Sequence, residues 1–74
     1  MKNAYYFTCG PTHSHYLGDG ITWNKDSVLQ VNAPQLNDAV EHVVSLFGYK
    51  WAMSYDNDID LSFYPNGICC IINI

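Results

Sequence analysis

The middle of the chain carries a helical pattern of apolar residues. Between Pro34 and Phe47 these residues recur at every third or fourth position, the spacing of one face of an α-helix. They are Leu36, Ala39, Val40, Val43, Val44 and Phe47. Asn32 is placed to cap the first turn, with Gln35 as its capping-box partner, and Gly48 is placed to end the helix. The pattern predicts one amphipathic helix over 34–47.

After the helix, apolar and polar residues alternate, which is the period of a half-buried strand. The alternation covers Tyr49–Tyr55 and Asp58–Tyr64, and Asp56-Asn57 between them suits a tight hairpin turn. Ile68–Ile74 is apolar on both sides apart from Asn73, which is typical of a central strand covered on both faces. We therefore predict three consecutive strands that form a meander.

The segment before the helix gives weaker signals. Tyr5–Cys9 has the composition of a strand, and 10–20 predicts a long loop because it holds three glycines and a proline. Ile21–Asn24 and Ser27–Val31 predict a short hairpin. The expected order is β-β-β-α-β-β-β: a single small α+β domain over 1–74, in which one helix packs on an antiparallel sheet.

Charge narrows the classes of function. The chain has 74 residues and a net charge of -4, from seven acidic residues against three lysines and no arginine. Without arginine it lacks the bidentate donor for phosphate and guanine, so we expect no direct contact with nucleic acid. We find neither a secretory signal nor an apolar run near the roughly 18 residues of a membrane span. We therefore expect a cytoplasmic protein that does not enter membranes.

Three cysteines and three histidines are the candidates for site chemistry. An odd number of cysteines without a secretory signal favours reduced thiols, buried as small apolar residues. One alternative is a small zinc-stabilised module that uses Cys9, His13 and His15. Another is a thiol enzyme with Cys9 as nucleophile and a histidine as base. We find no established catalytic or cofactor motif, so we predict neither an enzyme nor a cofactor.

The segment Asp56–Asp60 holds three aspartates at alternate positions, Asp56, Asp58 and Asp60. The run has the opening pattern of a calcium loop, but Leu61 and Gly67 stand where that loop needs glycine and glutamate. Two interpretations are left. The aspartates are either a solvated hairpin whose like charges discourage edge pairing, or an acidic docking surface.

Aromatic residues beside these aspartates favour the docking surface. Trp51, Tyr55 and Tyr64 are of the types that anchor protein interfaces. We therefore predict a partner-binding site made of Asp56, Asp58, Asp60 and these three rings. Its expected partner is a basic nucleic-acid-binding protein or complex, because opposite charges steer encounter.

The composition is similar in general character to that of small acidic inhibitors encoded by phages, including anti-CRISPR proteins. This similarity implies an inhibitor that occludes a basic nucleic-acid-handling surface, with the acidic hairpin as a partial mimic of nucleic acid. The alternative is an immunity protein or antitoxin that neutralises a basic nuclease toxin. We expect a monomer, or a homodimer formed through an exposed strand.

Overall fold

The computed structural model describes residues 2–56 and 59–74. Along these residues the chain forms six strands, one α-helix and one short 3₁₀ helix. In order they are β1 (Asn3–Thr8), β2 (His15–Gly18), β3 (Ile21–Trp23), β4 (Val28–Ala33), α1 (Leu36–Phe47), β5 (Met53–Tyr55), the 3₁₀ helix (Leu61–Phe63) and β6 (Ile68–Asn73). The predicted α+β fold with one helix on a sheet is confirmed, with four strands before the helix and two after it.

Four strands form the main sheet in the order β5-β1-β4-β6. β1 runs antiparallel to both of its neighbours, whereas β4 and β6 are parallel, so the sheet is mixed and not antiparallel throughout as predicted. A parallel pair needs a long crossover connection, and α1 with the segment after it provides one. β5 and β6 lie at opposite edges, so the predicted meander and the central position of the last strand are both wrong.

The segment 10–20, predicted as a loop, contains β2. β2 pairs with β3 to form a separate two-stranded sheet, and β4 pairs with β1. The hairpin predicted between Ile21–Asn24 and Ser27–Val31 is therefore wrong. Asp19 and Gly20 occupy the turn with φ of 52° and 78°. An Asp-Gly pair with positive φ at both positions is a preferred two-residue hairpin turn.

The helix α1 is confirmed, but it begins at Leu36, two residues later than predicted. Gln35 occupies the N-cap position without a side-chain cap hydrogen bond. The predicted cap, Asn32, lies in β4, where its side chain donates to Asn73 Oδ1 at 2.8 Å. Gly48 ends the helix as predicted, with φ of 63° and its N–H donating to the Val44 carbonyl at 2.8 Å.

The segment predicted as the strand Asp58–Tyr64 contains the 3₁₀ helix. The Asp60 side chain accepts the Ser62 N–H at 2.9 Å, which starts this turn in place of a strand ladder. The predicted strand Tyr49–Tyr55 is extended only over β5. Of the predicted turn Asp56-Asn57, only Asp56 is among the described residues. Asn57 and Asp58 lie outside them.

One face of the main sheet forms the core. Register places Tyr5 opposite Val31 and Phe7 opposite Leu29, so their side chains share this face. The helix α1 and the β2–β3 sheet cover it, and Phe7, Leu29 and Val31 are fully buried, as is Trp23 of β3. Burial of such a side chain stabilises the fold by about 1.5–3 kcal/mol. We call this side of the sheet the covered face.

The opposite side of the sheet, which we call the open face, carries half-buried polar side chains. Gln30 Nε2 donates to Asn32 Oδ1 at 2.9 Å, and Asn32 in turn donates to Asn73 across the parallel β4–β6 pair. Tyr6 and Tyr55 lie opposite one another on β1 and β5. The open face therefore combines amide groups with aromatic rings at its β5 edge.

The longest helix among residues 2–56 and 59–74 is α1, with 12 residues. No helix in this part of the chain has both the length and the apolar character needed to cross a membrane.

Candidate functional site

An open cavity of about 210 Å³ lies where β5 and the 3₁₀ helix meet. Five side chains line it: Tyr55, Ile59, Asp60, Phe63 and Tyr64. We call this cavity the aromatic hollow. It brings together two of the predicted aromatic anchors and one of the predicted aspartates.

Local turns shape the hollow. Asp60 begins the 3₁₀ helix, and the Tyr64 N–H closes it by donating to the Leu61 carbonyl at 3.0 Å. The Gly67 N–H then donates to the Tyr64 carbonyl at 2.8 Å, which fixes the exit of the chain towards β6. These turns leave the Phe63 ring 75% exposed at the rim. A ring in this position can supply binding energy if a partner covers it.

Tyr64 forms the inner wall of the hollow. Burial raises the pKa of its hydroxyl, the neighbouring Tyr55 hydroxyl raises it further, and a hydrogen bond with Thr8 acts in the opposite direction. Tyr64 therefore keeps its proton at neutral pH. This wall presents an uncharged ring and hydroxyl, and it is anchored to β1 through Thr8.

Asp60 supplies negative charge to the hollow. Hydrogen bonds from Ser62 lower the pKa of its carboxyl, so the group is ionised at neutral pH. Within residues 2–56 and 59–74 no ammonium group lies at ion-pair distance from Asp60, and Lys25 instead pairs with Asp26 at 3.5 Å. The carboxylate is exposed and available to a partner.

The other predicted site residues lie elsewhere or are not described. Asp56 is exposed and adjoins β5, and Asp58 lies outside the described residues. Trp51 is not brought to the hollow. Its ring packs edge-to-face on Phe7 with centroids 5.2 Å apart, and its Nε1 donates to the Gly48 carbonyl at 2.8 Å. Trp51 is therefore part of the packing around the core.

Sequence reasoning missed two residues of the hollow, Ile59 and Phe63. Their alternation with Asp60 and Ser62 satisfied the period of a strand, which would have directed both side chains towards a core. The sequence feature that could have indicated their position is Asp60 two residues before Ser62, with Pro65 three residues further on. Such a combination favours a side-chain-capped turn over a strand.

The thiol of Cys9 is not prepared for nucleophilic chemistry. Cys9 is fully buried, and its Sγ donates to the Trp23 carbonyl at 3.4 Å. Burial raises the pKa of the thiol to about 12, with a further contribution from the nearby Cys69. The thiol is therefore protonated at neutral pH, whereas a nucleophilic cysteine must be a thiolate.

The zinc ligands Cys9, His13 and His15 are not brought together. The His15 ring packs on Trp23 and Phe47, with centroid distances of 5.3 and 4.8 Å, and its Nε2 lies 2.6 Å from the Lys50 carbonyl. In the described part of the chain, no group of three or more His, Cys, Asp or Glu side chains is placed to hold a metal ion. His15 therefore packs beside the core.

Comparison of the chain with protein-family models, with curated proteins and with solved structures gave no match. The geometry of the aromatic hollow is therefore the basis for inferring function.

Proposed function

We propose that this protein is a small inhibitor that acts by binding another protein, and that it performs no chemistry of its own. The aromatic hollow is the proposed docking site, and a basic nucleic-acid-handling surface is its target. One observation carries this proposal: an exposed ring, Phe63, lies beside the ionised carboxylate of Asp60 in a cavity open to solvent. No catalytic group takes part.

Rings at the centre of an interface supply binding energy, because they bury large apolar areas at low entropic cost. The Asp60 carboxylate adds selectivity and raises the association rate, since complementary charge steers association and disfavours partners of the wrong sign. The net charge of -4 gives the same preference at long range. Binding is therefore expected to weaken as salt concentration rises.

Inhibition would result from occlusion. A bound copy would cover cationic groups that the target needs for nucleic acid, so one inhibitor would block one target site. In its specific form, the proposal describes a phage-encoded counter-defence protein of the anti-CRISPR kind that acts in the cytoplasm of the infected cell. Small size, acidity and the absence of arginine support this form.

The test is affinity capture from bacterial lysate with the wild-type chain and two hollow variants, Phe63→Ala and Asp60→Asn. Tyr49→Ala and Asp38→Asn are matched controls, because Tyr49 is 83% exposed and Asp38 is exposed on α1, both outside the hollow. We expect capture of a nucleic-acid-handling protein that the wild type and both controls retain and that the hollow variants lose.

The captured protein is then purified, and its binding to nucleic acid is measured with and without the inhibitor. We expect a stoichiometric loss of nucleic-acid binding. Equal capture by the hollow variants, or a target that still binds nucleic acid, would overturn the proposal. Capture of a nuclease toxin would identify the immunity-protein alternative. A rise in phage plaques on a CRISPR-immune strain expressing the chain would support the specific form.

A further inference from the structure

We infer that the aromatic hollow receives one arginine side chain of the partner. The inference rests on the proposed function, because it names the chemical group that enters the proposed docking site. Size, charge and ring content of the hollow each favour this occupant.

The size of the hollow favours a single inserted side chain. Its volume of about 210 Å³ is smaller than the roughly 300–1,000 Å³ of typical small-molecule sites. It is also open, so it would leave a free metabolite largely in contact with water. A side chain held at the end of a partner's backbone needs only one enclosed group, and the apolar stem of arginine can pack on Ile59.

The chemistry of the lining favours a cation. Three aromatic residues, Tyr55, Phe63 and Tyr64, line the hollow beside the Asp60 carboxylate. The face of an aromatic ring attracts cations within about 6 Å, and the carboxylate attracts them as well. An apolar occupant would bury the charge of Asp60 without compensation, and an anion would be repelled by it.

Arginine satisfies this lining better than lysine. Its guanidinium group is flat and weakly hydrated, so it can stack on a ring while it donates hydrogen bonds to a carboxylate. The Ser62 N–H donates to Asp60 Oδ1 at 2.9 Å, and the Ser62 side chain also hydrogen-bonds this carboxylate, which orients it. An ionised carboxylate has about four acceptor positions, so it can accept from a guanidinium as well.

Arginine also suits the target. Proteins that handle nucleic acid use arginine to contact phosphates and guanine, so the group that enters the hollow would be one that nucleic acid otherwise occupies. The chain itself contains no arginine. One copy therefore cannot supply this occupant to the hollow of another copy.

The experiment is an NMR titration of the full chain with capped tripeptides whose central residue is arginine, lysine or citrulline. Citrulline has nearly the shape of arginine without its charge. With arginine we expect saturable shifts at the amides of Ser62, Phe63 and Tyr64. We expect weaker binding of the lysine peptide and none of the citrulline peptide.

Two variants test the separate contributions of the aromatic ring and of the carboxylate charge to arginine binding. Phe63→Leu keeps apolar bulk and removes the ring, and Asp60→Asn keeps an acceptor for Ser62 and removes the charge. Each is expected to weaken arginine binding about two- to fivefold. Tyr49→Leu and Asp38→Asn are expected to leave it unchanged. Thermal unfolding of all four variants confirms that each is folded.

Equal binding of arginine and citrulline, shifts confined to other surfaces, or unchanged binding by Phe63→Leu and Asp60→Asn would overturn the inference. If no peptide binds while the hollow variants still lose the captured partner, the inference fails and the proposed function stands. If the arginine peptide binds at the hollow while the hollow variants retain capture, the proposed function fails and the arginine site stands.

Discussion

The two faces of the four-stranded sheet differ in how they are covered and in what they expose. The covered face is closed by α1 and the β2–β3 sheet, and residues such as Leu29 and Val31 have no exposed surface. The open face bears amides, tyrosines and the aromatic hollow at the β5 edge. We therefore expect the covered face to contribute most of the stability, and the proposed binding to depend on the hollow at the edge of the open face.

The largest effect is expected on the covered face. Leu29→Ala removes a fully buried side chain from the centre of β4 and leaves a cavity. We expect a loss of about 2–5 kcal/mol in the free energy of unfolding. Urea denaturation measures this loss, and the fraction that remains folded should bind through the hollow as the wild type does. A cost below about 1 kcal/mol would contradict the division between the faces.

Alkaline pH acts on the same face. The pKa of Cys9 is raised from 9.0 to about 12 in the folded protein, so the unfolded chain loses this proton first. Stability is therefore expected to fall as pH rises from about 9 towards 12. Denaturation at pH 8 and pH 10.5 measures the change. Cys9→Ala is the control, and its stability should depend less steeply on pH over this range.

A smaller effect is expected from the amide chain of the open face. Asn32→Ala removes the acceptor for Gln30 and the donor to Asn73. Since Gln30 and Asn32 are only half-buried and Asn73 is exposed, we expect a cost of about 0.5–1.5 kcal/mol. A double-mutant cycle with Asn73→Ala measures the coupling between the two asparagines. Zero coupling would show that the hydrogen bond between the two asparagines adds nothing to stability.

The smallest effect on stability is expected at the hollow. Phe63→Ala removes a ring that is 75% exposed, and we expect the free energy of unfolding to change by about 0.5 kcal/mol or less. The same substitution should abolish capture of the partner. A large loss of stability would instead make Phe63 a packing residue and remove the contrast between the two faces.

The parts of the fold that were predictable are those with local signals. The period of α1 and the glycine after it, Gly48, specified the helix. The turn at Asp19-Gly20 is equally local, but it lies close to other glycines, and this composition favours a loop. The parallel pairing of β6 with β4 has no local signal, since an apolar strand does not specify its neighbour.

The site was predictable in part for the same reason. Composition drew attention to Tyr55, Asp60 and Tyr64, which the fold brings to one cavity. Alternation places Trp51 on the same side as Tyr55, but the strand begins only at Met53, and the Trp51 ring packs on Phe7 of the covered face. Phe63 was missed since its position depends on the capped turn at Asp60, which competes with a strand of the same period.

The parallel β4–β6 pair has a consequence for when the hollow exists. The residues of the hollow lie along the chain between β4 and β6, so we expect the hollow to be complete only when β6 has paired with β4. A partly folded chain would then lack the complete hollow, so we expect a partner to bind the folded state only. By mass action, a bound partner would in turn protect this small domain against unfolding and proteolysis.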